Sequence, residues 1–266
     1  MNELALFAGA GGGLLASSIV GNTIVCAVER DEYCIEVLCQ RQNDRVIPPF
    51  PIWDNICSFD GRHWKGTVDL VSGGFPCQAF SSAARGRNIA EKDLWHEMRR
   101  VIGEVEPRAV YAENVSEKAI LYARDDLFHM GYNCKYIKLS AKDVGADHER
   151  DRFWLLAYTD DYGQLCRAKY AKASRVSELR NGVWETFPDE LRVSDGVAFR
   201  MDRLKALGNG QVPLVAASAW SILHQKCFGT GGLTTYFCDA RIPLPNEQQR
   251  NQSWEHATTS HTTTSL

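Results

Sequence analysis

The chain has 266 residues, 44% of them apolar and 24% charged, values close to those of ordinary globular domains, which excludes collagen-like, coiled-coil and largely disordered chains. The formal net charge is −3, so the surface as a whole is no polyanion binder, and contact with nucleic acid would need basic residues concentrated locally. Nine cysteines without a CxxC pair argue against a zinc ribbon or a thioredoxin-like site. They read as reduced thiols of a cytoplasmic protein, and no metal is expected.

Residues 3–8 are a short apolar run broken by Gly9 to Gly13, and residues 14–20 have the texture of a helix. This opening is not read as a signal peptide. Glu3 sits where a basic flank belongs, and glycines crowd the apolar centre. It is also too short and Gly-rich for a membrane span, so no membrane association is expected. Residues 23–29 predict a β-branched strand, and 31–43 a helix carrying Tyr33, Val37 and Leu38 at helical spacing. Residues 67–74 predict a buried strand that ends in glycines. A helix follows over 93–105 with Asp93 as N-cap, then a strand over 108–114 and a helix over 116–131. Residues 133–140 and 152–158 predict two more strands. Alternation of this kind predicts a doubly wound, mostly parallel α/β sheet, with ligands beyond the carboxyl ends of its strands.

The texture changes after Tyr158. Residues 159–199 have weak periodicity, and between Gln164 and Arg180 the basic Arg167, Lys169, Lys172, Arg175 and Arg180 outnumber Glu178, a local excess of four positive charges. Read alone, that segment is a solvated loop; the sharper reading is a small phosphate-contacting lobe. Residues 203–225 return to a glycine turn and an apolar helix with Pro213 near its start. From about Gly229 the chain is polar and repetitive, which predicts a disordered tail. The expected organisation is therefore an α/β domain over 1–158 and 200–228, a short basic region over 159–199, and a tail over 229–266.

Several short motifs sit at the predicted strand ends. In "FAGAGGG" (7–13), Gly9 and Gly11 fit the first two positions of a GxGxxG loop, but Leu14 takes the third. Glu29 ends the next strand, where a carboxylate binds ribose hydroxyls. This much suits a nicotinamide dinucleotide or S-adenosylmethionine equally. "GGFPCQAFS" (73–81) presents Cys77 just after a strand and a rigid Pro76. A free thiol has a pKa of about 8.5, so a nucleophile there needs activation; the plain alternative is a small buried hydrophobe. "AENV" (112–115) puts Glu113 at another strand end, as an acid facing a heterocycle or as a helix cap beside Asn114. "HERDRFW" (148–154) alternates Arg150 and Arg152 at period two, which points both to one side of a strand.

In this order the segments "LFAGAGG", "GGFPCQ", "AENV", "HERDR" and "LGNGQVP" resemble the motif series of the DNA cytosine-5 methyltransferases, over roughly residues 3–225. The resemblance implies the α/β fold of S-adenosylmethionine-dependent enzymes, of Rossmann-like type, with a small target recognition lobe. It implies methyl transfer to C5 of a flipped-out cytosine in double-stranded DNA through a covalent bond from Cys77 to C6. Phe7, Ala8, Gly9, Gly11, Gly12, Glu29, Asp54, Asn55, Ile56, Pro76, Asn209 and Val212 match the cofactor positions. Glu113 matches the carboxyl at N3 of the base, and Arg150 and Arg152 match the arginine pair beside it. Gln78, Ser81, Arg85, Lys169, Lys172 and Arg175 are expected on DNA. A monomer is implied, with a cognate restriction endonuclease as partner where the enzyme belongs to a restriction-modification system.

Some positions depart from the family pattern. His148 stands where Gln is usual, and Asn55 where Asp is usual, with Asp54 adjacent. Gly210 and Gln211 replace a commoner small residue and Val. A tRNA cytosine-5 methyltransferase of the same fold and a decayed DNA-binding homologue are the alternatives. A nicotinamide oxidoreductase is disfavoured, because it leaves Cys77 without a role.

Overall fold

The computed structural model describes residues 1–76, 94–170, 206 and 208–229. Seven strands form one sheet: β1 (Asn2–Leu6), β2 (Thr23–Val28), β3 (Ile52–Trp53), β4 (Leu70–Gly74), β5 (Ala109–Asn114), β6 (Asn133–Ser140) and β7 (Asp151–Tyr158). Their spatial order is β3-β2-β1-β4-β5-β7-β6. The first five run parallel, while β7 is antiparallel to both of its neighbours. The mostly parallel doubly wound sheet expected from sequence is thus present. β5 is buried along its whole length, as a central strand covered on both faces must be.

Among the described residues six helices cover the two faces: α1 (Gly12–Ile19), α2 (Glu32–Asn43), α3 (Trp95–Val105), α4 (Glu117–His129), α5 (Asp160–Tyr170) and α6 (Pro213–Phe228). Side chains alternate along each strand, so the two faces draw on different residues. Val110 and Ala112 of β5, with Leu155 and Ala157 of β7, pack under α3 and α4. Ala109 and Tyr111, with Trp154, Leu156 and Tyr158, pack under α6. α3 buries Trp95, Met98, Val101, Ile102 and Val105, the spacing of one helical face. Each large apolar side chain so buried contributes about 1.5–3 kcal/mol.

Two consequences of the topology position the site. First, the chain leaves β1 toward β2 and β3, then crosses back to β4 on the other side of β1. The switch point therefore lies between the carboxyl ends of β1 and β4, where an open α/β sheet leaves a crevice. Second, β7 runs against β5. Its beginning lies beside the carboxyl end of β5, pairing Glu113 with Trp154 and Asn114 with Phe153. The arginines at the start of β7 are thereby carried to the same end of the sheet as the glycine turn.

Several boundaries differ from expectation. The two-residue strand β3 has no period to detect. The strand expected from 67 begins at Leu70. The helix expected from Asp93 starts at Trp95 with Leu94 in the cap position, and Asp93 lies outside the described residues. Residues 160–170, read as part of an irregular basic region, form α5, whose Tyr162 and Cys166 are buried against α6. The remainder of the recognition region and the tail from residue 230 lie outside the described residues. Among the described residues no helix is long and apolar enough to cross a membrane.

Candidate active site

A cleft of about 690 Å³ opens at the switch point. Its floor is the turn after β1. Phe7 has φ 53° and Gly9 φ 53°, and Gly11 has φ 87° where it precedes α1. A left-handed Phe costs of order 1 kcal/mol or more and persists only where its surroundings hold it, which is common at binding sites. Gly11 and Gly12 do not line the cleft; they shape the loop behind it. A Cβ on Gly11 would lie 2.8 Å from Leu38 Cδ2, and one on Gly12 would run into the backbone oxygen of Gln211. Arg41 of α2 donates to the Ala10 carbonyl at 2.6 Å and holds the loop from below.

Glu29, just past β2, organises one end of the cleft. One carboxyl oxygen accepts from the Gly9 N–H at 2.6 Å; the other accepts from the N–H groups of Arg30 and Asp31, both at 2.8 Å. An ionised carboxylate offers about four acceptor positions, so one remains for an incoming hydroxyl. Asn55 and Ile56 line the same end, Asn55 also capping the following turn through the Cys57 N–H. Asp54 is exposed and does not line the cleft. Ala8 and Val212 do not line it either, and Ala8 is fixed by its N–H to the Val28 carbonyl. Two thiols that sequence left without a role, Cys34 and Cys57, do line it.

The other end is built on β5 and β7. Glu113 is 7% exposed and pairs with Arg152 at 2.9 Å. Burial raises the Glu113 pKa above the ordinary carboxylate value. The charge of Arg152, a hydrogen bond from Gln211 and the charge of Arg150 act against that rise. The capping role weighed for Glu113 is not seen: Ser116 is the N-cap of α4, without a side-chain cap bond, and the neighbouring Asn114 holds the turn before it. The Asn114 side-chain oxygen accepts from the Ser116 N–H, and its amide donates to the Phe75 carbonyl at 2.8 Å. Asn114 thus ties the exit of β4, including Pro76 in the cleft wall, to the end of β5.

Both arginines of the alternating pair turn toward this region. Arg152 meets Glu113, whereas Arg150 donates to the carbonyls of Gly208 and Gly210 at 2.8 and 2.6 Å. Arg150 therefore clamps the segment before α6 over the sheet, and Asn209 between those carbonyls lines the cleft. The intervening acids face elsewhere: Glu149 pairs with Lys142 and Asp151 with Lys138. Cys77, Gln78, Ser81, Arg85, Lys172 and Arg175 lie outside the described residues, as does the side chain of Lys169. Gln211, which sequence marked only as a departure, contacts three parts of the site.

A crevice at the switch point of a seven-stranded Rossmann-like sheet, with a carboxylate at the end of β2 and a buried acid paired to arginine, defines a class of small-molecule-dependent α/β enzymes. The model of the C-5 cytosine-specific DNA methylase family matches residues 1–206, and the chain belongs to that family. Among similar proteins, the Type II methyltransferase M.PspPI of Psychrobacter sp. (strain TA137) is 42% identical over 115 residues, covering 41% of this chain and 26% of the relative. M.CviJI of Paramecium bursaria Chlorella virus IL3A is 28% identical over 166 residues, covering 60% and 43%. A solved DNMT2 structure from Spodoptera frugiperda superposes with a TM-score of 0.50 at 20% identity, over 60% of this chain and 50% of that one, a likeness of fold. The chain spans between about a quarter and a half of the length of the curated relatives it matches.

Proposed function

We propose that the protein transfers a methyl group from S-adenosylmethionine to C5 of cytosine in double-stranded DNA. The observation that carries this reading is Glu113, a buried carboxyl paired with Arg152 at the opposite end of one cleft from Glu29. The residues fit the cofactor. The cleft volume lies within the roughly 300–1,000 Å³ typical of small-molecule sites, Glu29 keeps an acceptor position for a hydroxyl, and Phe7, Gly9, Asn55, Ile56 and Asn209 complete the wall. When bound, S-adenosylmethionine supplies an electrophilic methyl group.

The chain's own residues make cytosine able to accept it. C5 of the ring is a poor nucleophile. Addition of the Cys77 thiolate to C6 turns C5 into an enamine-like carbon while Glu113 donates a proton toward N3. After methylation of C5, loss of the C5 proton to solvent water, departure of the thiolate and return of the N3 proton to Glu113 restore the aromatic ring and the starting state of the site. Arg152 orients Glu113 and offers donors to the base carbonyl. Pro76 lines the cleft and immediately precedes Cys77 in sequence, which supports the thiol's access to it. The base must leave the duplex stack, at a cost of a few kcal/mol. Contacts from Gln78, Ser81, Arg85, Lys169, Lys172 and Arg175 to DNA would offset that cost and make binding salt-dependent. A tRNA substrate is the less favoured reading, because the matching family model is that of DNA methylases and the relatives are named Type II methyltransferases.

The test compares wild type with Cys77→Ser. Methyl transfer to cytosine in duplex DNA should fall at least about a thousandfold, with the affinity for S-adenosylmethionine kept within about threefold. Near wild-type turnover by Cys77→Ser would overturn the mechanism.

A further inference from the structure

Gln211 occupies the space between three glycines of two separate motifs. A Cβ on Gly12 would run into its backbone oxygen, and one on Gly13 would meet its side-chain oxygen at 2.5 Å. A Cβ on Gly74 would lie 3.1 Å from its side-chain nitrogen and 2.6 Å from the Glu113 Oε2. The amide therefore runs from the start of α1 to the end of β4, with its oxygen toward Gly13 and its nitrogen toward Glu113. That direction is the one a carboxylate requires, because only the amide N–H donates. The side chain hydrogen-bonds Glu113, and Arg150 holds the backbone just before it through Gly208 and Gly210. Arg152 reaches the same carboxyl from β7.

We propose that Gln211 is a positioning residue for methyl transfer: wedged between Gly13 and Gly74, its amide fixes the Glu113 carboxyl opposite Arg152 and links the glycine turn to the base end of the cleft. This role rests on the function proposed above and deepens it. A side chain of the same size without an N–H would fill the space but leave Glu113 with one donor fewer. The carboxyl could then rotate, and its proton would be held more tightly, because the lost hydrogen bond favours the ionised form. The other titratable groups facing Glu113 among the described residues are Arg152 and Arg150 of the β7 end and Tyr111 of β5. None of them changes in the substitution.

The test is Gln211→Met in the full chain, assayed with S-adenosylmethionine and unmethylated genomic DNA. The expected kcat is lower by about tenfold, the value for losing one hydrogen bond to a charged group. The dissociation constant for S-adenosylmethionine should stay within about twofold. The alkaline limb of the kcat–pH profile should move to higher pH, and the Glu113 carboxyl, followed by carbon-13 NMR, should titrate higher. A filler of space alone would leave both titrations in place. Gln211→Glu serves if the Met variant does not fold. Its length is kept, and its negative charge beside Glu113 should raise the same titration. No transfer by wild type would overturn the parent function and the role of Gln211 with it. Transfer by wild type with kcat and the Glu113 titration unchanged in the variants would overturn the role of Gln211 alone.

Discussion

At the scale of single residues, the two carboxylates of the cleft differ because their surroundings differ. Glu29 is tied to three backbone N–H groups at the rim, so its work is to accept. Glu113 is buried against one arginine, with its pKa raised, which suits an acid that donates toward a ring nitrogen. Glu29→Gln tests the first of these. An amide keeps one acceptor but turns two hydrogens toward N–H groups that need an acceptor. The loss expected in affinity for S-adenosylmethionine is about 2 kcal/mol, roughly thirtyfold, with the fold retained. Isothermal titration of cofactor into the variant reads this directly; unchanged affinity would remove Glu29 from the cofactor site. The position of Glu29 at a strand end was legible in sequence, since strand, turn and acid are local. The partner of Glu113 was not. Read alone, "AENV" favours a helix cap, and only the antiparallel return of β7 brings Arg152 beside it.

At the scale of elements, the glycine turn, the end of β4 and the start of α6 form one packed unit. Gly73 pairs with Leu6 across the sheet, and a Cβ there would lie 2.7 Å from the Leu6 carbonyl oxygen. Gly12 faces the backbone of Gln211 more closely still, and backbone cannot rotate aside as a side chain can. Gly12→Ala should therefore displace the segment before α6. A destabilisation of about 1–3 kcal/mol is expected, together with at least tenfold weaker binding of S-adenosylmethionine. Denaturant titration and cofactor titration of the variant give the two numbers. Wild-type values for both would mean that the segment before α6 is not seated on Gly12. Strands and helices with several residues at a regular period were legible from sequence, including the full-length face of α3. β3 has two residues and no period. α5 has Gly163 within it, and among its described side chains Tyr162 and Cys166, about one helical turn apart, reach the core, so the segment reads as loop.

At the scale of the whole molecule, an acidic chain carries its site at one end of the sheet, where Arg150, Arg152 and Arg41 are gathered around the turn and the cleft. Net charge was therefore a poor guide to the family, whereas the order of motifs along the chain was a good one. Four of the five motifs fall at strand ends, and the doubly wound topology brings strand ends together. Contacts across that junction, such as Gln211 with Glu113, have no local signature and emerge only when the strands are assembled. The central claim is cytosine methylation in DNA. Bisulfite sequencing of unmethylated duplex DNA, after incubation with the purified protein and S-adenosylmethionine, tests it most directly. The expected result is 5-methylcytosine confined to one sequence context and absent when Cys77→Ser is used. DNA in which every cytosine remains convertible, under conditions where the protein binds S-adenosylmethionine, would contradict it.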